Sequence, residues 1–208
     1  MAANTAFKNQ LAARKAQLDA TLPAKTQQIV QAFTPLQKEF DQRVASLLRS
    51  NGSPRTKFHA LNEIMSDVRA VSAPFSACKA GCSQCCYQRV AMTQGEADAI
   101  GYRIGHAAKQ LPASYKVPAV EAFSPATPCV FLKNNQCSIY DSRPFACRNL
   151  VNLDVDNLLC DFDNWELGVK KDPAFVGFPM QDPGPMLGAY KLLAGKDKVG
   201  DIRDFFPI

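Results

Sequence analysis

Histidine is nearly absent from this 208-residue chain: there are two, His59 and His106, and neither lies near a cysteine in sequence. Each is therefore expected as a surface or packed residue rather than a ligand, and no cysteine–histidine nucleophilic pair is available. Also missing are a glycine-rich loop able to cradle a phosphate and a pair of carboxylates at an evident catalytic spacing, so nothing in the sequence signals an enzyme. No apolar run approaches the roughly 20 residues that a membrane span requires. The first residues, Met1 to Lys8, hold no apolar stretch followed by a small-residue cleavage site. The expectation is a cytoplasmic chain with reduced thiols.

Acidic residues are scarce at one end. Residues 1–57 contain nine Lys or Arg against three acids, a net of +6, which leaves −1 for the remainder of a chain whose total is +5. A basic helical face of this kind is usually solvated. Docking of an acidic or other protein partner is the sharper expectation, and nucleic acid is disfavoured because no aromatics interleave the charges.

What is abundant is cysteine. Four of the eight fall within nine residues, Cys78-Lys79-Ala80-Gly81-Cys82-Ser83-Gln84-Cys85-Cys86, and Cys129, Cys137, Cys147 and Cys160 follow. A thiolate binds zinc at about 2.3 Å, so four sulfurs this close in sequence can surround one ion with little loop to order. Four disulfides would need an oxidising compartment, and a bridge between the neighbours Cys85 and Cys86 would be strained while their side chains tend to diverge. The Cys82-Ser83-Gln84-Cys85 spacing suits a redox motif, but no strand–helix–strand pattern surrounds it. Burial as small apolar groups explains one or two cysteines, not this density.

Around the cysteines the chain reads as mainly helical. Phe7, Leu11, Leu18 and Leu22 form one stripe, expected to end at Pro23. Ile29, Phe33, Leu36, Phe40, Val44 and Leu47 form a stronger one, with Pro35 as a kink or a new first turn. Asn51-Gly52-Ser53-Pro54 stops it, and Phe58, Leu61, Ile64, Met65 and Val68 mark a third helix. Thr93 to Glu96 has the form of a capping box opening a helix over about 94–110. Residues 111–128 read as a Pro- and Ala-rich connector. Short β-prone runs flank Lys133-Asn134-Asn135, which predicts a hairpin bringing Cys129 and Cys137 close at its open end. Asp141 to Pro144 looks like a helix start carrying Cys147. The stretch 172–187 should be irregular, followed by a short helix near 189–194 and an apolar tail, Phe205-Phe206-Pro207-Ile208, that docks on the core. The expected organisation is a basic helical region over 1–72, a small cysteine-rich, metal-organised α+β domain with one β-hairpin over 73–165, and a Pro/Gly-rich extension with a short helix over 166–208.

Three motifs carry a family resemblance: the block Cys78 to Cys86, Pro128-Cys129-Val130-Phe131-Leu132, and Cys137-Ser138-Ile139-Tyr140-Asp141-Ser142-Arg143-Pro144-Phe145-Ala146-Cys147-Arg148. With Cys160-Asp161 as the last element, the region resembles the YkgJ-like cysteine-cluster family, the CxxCxxCC or zinc- or iron-chelating domain. Three residues separate Cys78 from Cys82 where the family name has two. The resemblance implies metal binding, by zinc or by iron. A related cysteine block occurs in flagellin lysine methylases, where an iron–sulfur cluster is the expected occupant.

Eight thiolates allow two four-sulfur sites, one site with bridging sulfurs, or one cluster plus spare cysteines. All eight are candidate ligands. Four thiolates on a divalent ion leave a charge of −2 that needs donors nearby. Arg143 and Arg148, flanking Cys147, are expected to supply them, unless they only cap the helix or pair with Asp141. A closed all-sulfur zinc site would be structural or regulatory, whereas an iron–sulfur cluster would point to redox or electron transfer.

Overall fold

The computed structural model describes residues 5–79, 81–116 and 126–207. The first helix, α1, covers Thr5–Phe33 and runs straight through Pro23, where the sequence led us to expect its end. Proline removes one helical hydrogen bond. Pro23 lies on the exposed side, so water can satisfy the carbonyl it frees, while the buried side is held on both flanks. Leu11 and Leu18 pack with Leu159 and Leu167, and Ile29 packs with Val151 and Leu153. Pro35 does break the rod: a single 3-10 turn over Thr34–Leu36 leads into α2, Gln37–Arg49. Ser53 then caps α3, Pro54–Ser72, by accepting from the Thr56 amide at 3.2 Å.

The remaining elements are short. They are β1 (Ala91–Thr93), α4 (Gln94–Ile104), β2 (Leu132–Lys133), β3 (Gln136–Cys137), α5 (Phe145–Asn149), α6 (Phe162–Val169), α7 (Pro185–Ala194), β4 (Val199–Asp201) and α8 (Ile202–Phe205). The fold is thus mainly α with the expected hairpin, β2–β3, in which Leu132 faces Cys137. Asn134 and Asn135 both take positive φ, 50° and 58°, as a two-residue turn of matching twist requires. A second antiparallel pair, β1–β4, was not foreseen; it joins Met92 to Gly200 across the chain. Nor was α6. Among the described residues no helix is long and apolar enough to cross a membrane.

The principal core is built by α2, α3 and α7 around Phe40, Leu61, Ile64, Met65 and Met186, with Phe145 of α5 inserted among them. A second core holds Val90, Met92, Ile100, Leu111 and Cys129 against Ile202, Phe205 and Phe206, so these two phenylalanines of the expected tail dock; Pro207 is exposed, and Ile208 lies outside the described residues. The helix α4 stops at Ile104, six residues short of expectation. Gly105 adopts φ 68°, and its amide returns to the Gly101 carbonyl. The chain then turns back over the helix so closely that a Cβ on Gly101 would lie 2.6 Å from the His106 carbonyl oxygen. Gln94 holds this return by donating to the Lys109 carbonyl and accepting from the Leu111 amide. Part of the connector, 117–125, lies outside the described residues.

The capping box forms by half. The Thr93 hydroxyl accepts from the Glu96 amide at 3.2 Å, but the Glu96 carboxylate does not close the box. Fully buried, it accepts from the Phe145 amide at 2.6 Å and from the Tyr190 hydroxyl at 2.8 Å. One carboxylate therefore satisfies a free amide at the start of α5 and fastens that helix to α4 and α7. Burial pushes its pKa from 4.5 to about 7, against the opposing effect of those hydrogen bonds.

Basic residues of α1 turn towards the chain's own acidic segment. Lys8 pairs with Asp172 at 2.7 Å, Lys25 donates to the Leu153 carbonyl at 2.7 Å, and Arg14 bridges Asp154 at 2.6 Å and Asp156 at 2.7 Å. The Asp154 side chain is completely buried. The Arg14 hydrogen bond holds the Asp156 carboxyl below its ordinary value.

Two outcomes follow. Because native Glu96 binds its proton more tightly than the unfolded chain does, its contribution to stability is fully present below about pH 4.5 and is lost as pH rises through about 7, by on the order of 3 kcal/mol. Urea unfolding across that range should show Glu96→Gln removing this part of the slope; an unchanged slope would contradict the assignment. Arg14→Ala strands a buried carboxylate and should cost about 2 kcal/mol or more. Lys15→Ala, which breaks only the exposed pair with Asp19, should cost about 0.5 kcal/mol or less.

Candidate metal centre

All eight cysteines are free thiols. The first block is shaped by two tight turns. The Cys82 amide donates to the Lys79 carbonyl at 3.1 Å, with Gly81 at φ 84°, and a 3-10 turn over Gln84–Tyr87 carries Cys85 and Cys86. The sequence suggested that these neighbouring side chains diverge. The two thiols nevertheless influence one another: Cys86 lowers the pKa of Cys85, and Cys85, with burial, raises that of Cys86.

The later cysteines are brought to this block by backbone contacts. The Cys129 amide donates to the Cys86 carbonyl at 2.7 Å, and the Leu132 amide to the Cys129 carbonyl at 2.9 Å, which starts the β2–β3 hairpin. Cys137 ends β3, and Cys147 lies on the short helix α5 fastened by Glu96. Arg203 of α8 ties both strands of this arrangement, donating to the carbonyls of Cys86 at 3.3 Å and Thr127 at 2.8 Å. Six cysteines, Cys82, Cys85, Cys86, Cys129, Cys137 and Cys147, line one cavity of about 160 Å³ with walls that include Val90, Phe131 and Ile202.

Cys78 and Cys160 are not among its walls. They meet at Asn152, a residue the sequence reading passed over. The Asn152 backbone N–H lies 3.4 Å from Cys78 Sγ and its side-chain Nδ2 lies 3.3 Å from Cys160 Sγ. Cys160 feels the charges of Cys78, Cys82 and Cys85, so the two groups of sulfurs are neighbours through Cys82 and Cys85.

Arg143 reaches the cavity, stacked over the Tyr140 ring at 3.5 Å, with Nε donating to the Tyr140 carbonyl at 2.9 Å. Its charge favours the thiolates of Cys85, Cys137 and Cys147. Arg148 is buried and points at backbone: it donates to the carbonyls of Arg143 at 2.8 Å and Asp141 at 2.6 Å, and to the Ser66 hydroxyl. It fixes the loop between Cys137 and Cys147 to α3. His59 and His106 stand apart, the first 3.0 Å from an Arg103 nitrogen and the second edge-on to Phe206.

The donor set can be tested against a cation. Burial raises the pKa of Cys82, Cys129 and Cys137, that of Cys147 further, and that of Cys160 to about 12; their sulfurs also raise one another. So many thiolates held together need a positive charge among them, and a bound cation supplies it. One guanidinium nitrogen of Arg69, Nη1, is buried without a hydrogen-bond partner, and the Arg69 charge favours the Cys85 thiolate. A spare buried donor on a side chain whose charge reaches Cys85 suits a centre that carries net negative charge. Among the described residues, no three Cys, His, Asp or Glu side chains already stand in an arrangement that holds an ion. The sulfurs are gathered without being collected on one point. The donors fit a soft or borderline metal, zinc or iron.

No curated protein and no solved structure matches the chain. A family model does, over residues 77–165, with the description "Putative zinc- or iron-chelating domain". That range opens one residue before Cys78 and runs past Cys160, so it takes in every cysteine of the chain. The cysteine-rich segment, residues 77–165, is a domain of the CxxCxxCC family.

Proposed function

We propose that the cluster binds zinc or iron through cysteine thiolates, with Cys78, Cys82, Cys85, Cys86, Cys129, Cys137, Cys147 and Cys160 as its donors, and that the metal acts structurally or as a regulatory staple. The observation that carries this reading is the cavity of about 160 Å³ into which six reduced cysteines from three separate stretches project. The regular structure that holds those stretches is slight: a hairpin of two-residue strands, a five-residue helix and a few 3-10 turns. Segments this short contribute little stability alone, and a cation bound by their sulfurs converts binding free energy into folding free energy. Four sulfurs close a tetrahedral zinc site, which leaves no position for substrate. Arg143 and Arg69 offset the surplus negative charge, and Arg148 positions the loop.

An iron–sulfur cluster with a redox role is the second reading. It is favoured by the number of sulfurs on a single cavity, more than one tetrahedral ion takes, by arginine charge acting on them, and by N–H groups at the neighbouring Cys78 and Cys160, features that set a cluster's potential.

Elemental analysis and colour of protein prepared without oxygen separate the two. Zinc in a colourless protein, released on thiol modification, supports the structural reading; iron with acid-labile sulfide in a brown protein supports the second. Absence of both metals would refute each. Cys85→Ser and Cys147→Ser should each lower metal content and reduce Tm by several degrees, at about 2–4 °C per kcal/mol for a chain of this size. Full metal content and an unchanged Tm in either variant would remove that residue from the ligand set.

A further inference from the structure

Asn152 is 2% exposed, and every polar group on it is engaged. Its side-chain oxygen accepts from the Asp154 amide at 2.9 Å, which fixes the orientation of the amide and turns Nδ2 towards Cys160 Sγ, with the Asp156 carbonyl a second acceptor at 3.3 Å. Its backbone carbonyl accepts from the Ala77 amide at 2.9 Å and the Ser76 hydroxyl at 3.2 Å. Ser76 in turn accepts from the Cys78 amide at 3.0 Å. The residue therefore grips the segment before Cys78 through its backbone and the loop before Cys160 through its side chain. From each grip one N–H is directed at a sulfur.

An N–H group aimed at sulfur interacts more strongly with a metal-bound thiolate than with a neutral thiol, because the acceptor then carries charge. Two such donors on one rigid residue also set where two sulfurs stand relative to each other. The charge of Cys78 is felt at Cys82, and those of Cys78 and Cys82 at Cys160.

We infer that Asn152 is a positioning residue that holds the first and the last cysteine, Cys78 and Cys160, as thiolate ligands of one and the same metal ion. The inference rests on the metal–thiolate reading above and adds to it which sulfurs share an ion. Neither cysteine lines the cavity shared by the other six; Asn152 is the residue that joins the pair. Its neighbour Asp154 is held by Arg14, and the same brace extends the grip to α1.

The test uses the full chain and cobalt(II) as the probe, read by its thiolate-to-metal charge-transfer absorption and by competition with a chelator. Asn152→Asp keeps the shape, the backbone N–H to Cys78 and the oxygen that accepts from Asp154, and sets an acidic oxygen against Cys160 Sγ. It should weaken one equivalent of cobalt by about 10-fold to 100-fold and shift its charge-transfer band. Placed in a Cys160→Ser background the same change should add no further loss, since its target is gone. Equal losses in both backgrounds, or a wild-type spectrum and affinity in the single variant, would overturn the inference. An independent measurement leaves Asn152 in place: Cys78→Ser, Cys160→Ser and the double variant should each lack the same single equivalent. Two separate equivalents lost in the double variant would show that the two cysteines serve different ions, and the inference would fall while metal binding stood. A wild-type chain that took up no cobalt, zinc or iron would overturn both.

Discussion

Thiolates gathered away from water repel one another, and this chain gathers eight cysteines within one small domain. The consequence is visible in the thiols themselves: burial and mutual repulsion drive most of them towards the neutral form. For the same sulfurs to stand together as thiolates, a positive charge at the centre is needed. The surrounding structure is fitted to that condition. Arg69 and Arg143 bring charge to Cys85, and Asn152 brings N–H groups to Cys78 and Cys160.

Holding the sulfurs in place falls to buried polar side chains rather than to regular structure. Glu96 binds the first amide of α5 and so places Cys147; Arg148 ties the loop before that helix to α3; Arg203 clamps the carbonyls that flank Cys86 and Cys129. Each of these reaches out from an element packed in one of the two main cores. The core helices therefore act as the frame, and the cysteine segments are hung on them by charge-assisted hydrogen bonds, each stronger than a neutral one. Loss of such a bond leaves a buried charge unpaired, which links the integrity of the centre to the stability of the frame.

The basic N-terminal helix belongs to the same scheme. Part of its excess charge is used within the chain: Lys8, Arg14 and Lys25 meet Asp172, Asp154, Asp156 and the Leu153 carbonyl. Opposite charge at two ends of one chain is satisfied most cheaply within the chain when the fold brings those ends together, and here α1 lies along the loop that carries Asn152 and Cys160.

How much of this could be read in advance depends on the range of the cause. The stripes of α2 and α3, the break at Pro35 and the hairpin at Asn134 and Asn135 were legible, because periodicity, a missing amide N–H and tolerance of positive φ are local properties. The density of cysteine, and with it the family, was legible for the same reason. The passage of α1 through Pro23 was not, since packing on Val151 and Leu153 outweighs one lost hydrogen bond. Thr93 and Glu96 announced a capping box, but a carboxylate goes to the strongest donors within reach, and the Phe145 amide and Tyr190 hydroxyl came from elsewhere in the chain. An asparagine in a loop carries no pattern at all. The sequence alone determined which atoms are able to bind a metal; which sulfurs stand together, and which side chains hold them there, was decided only when distant segments met, because hydrogen bonds and Coulomb forces act through space and not along the chain.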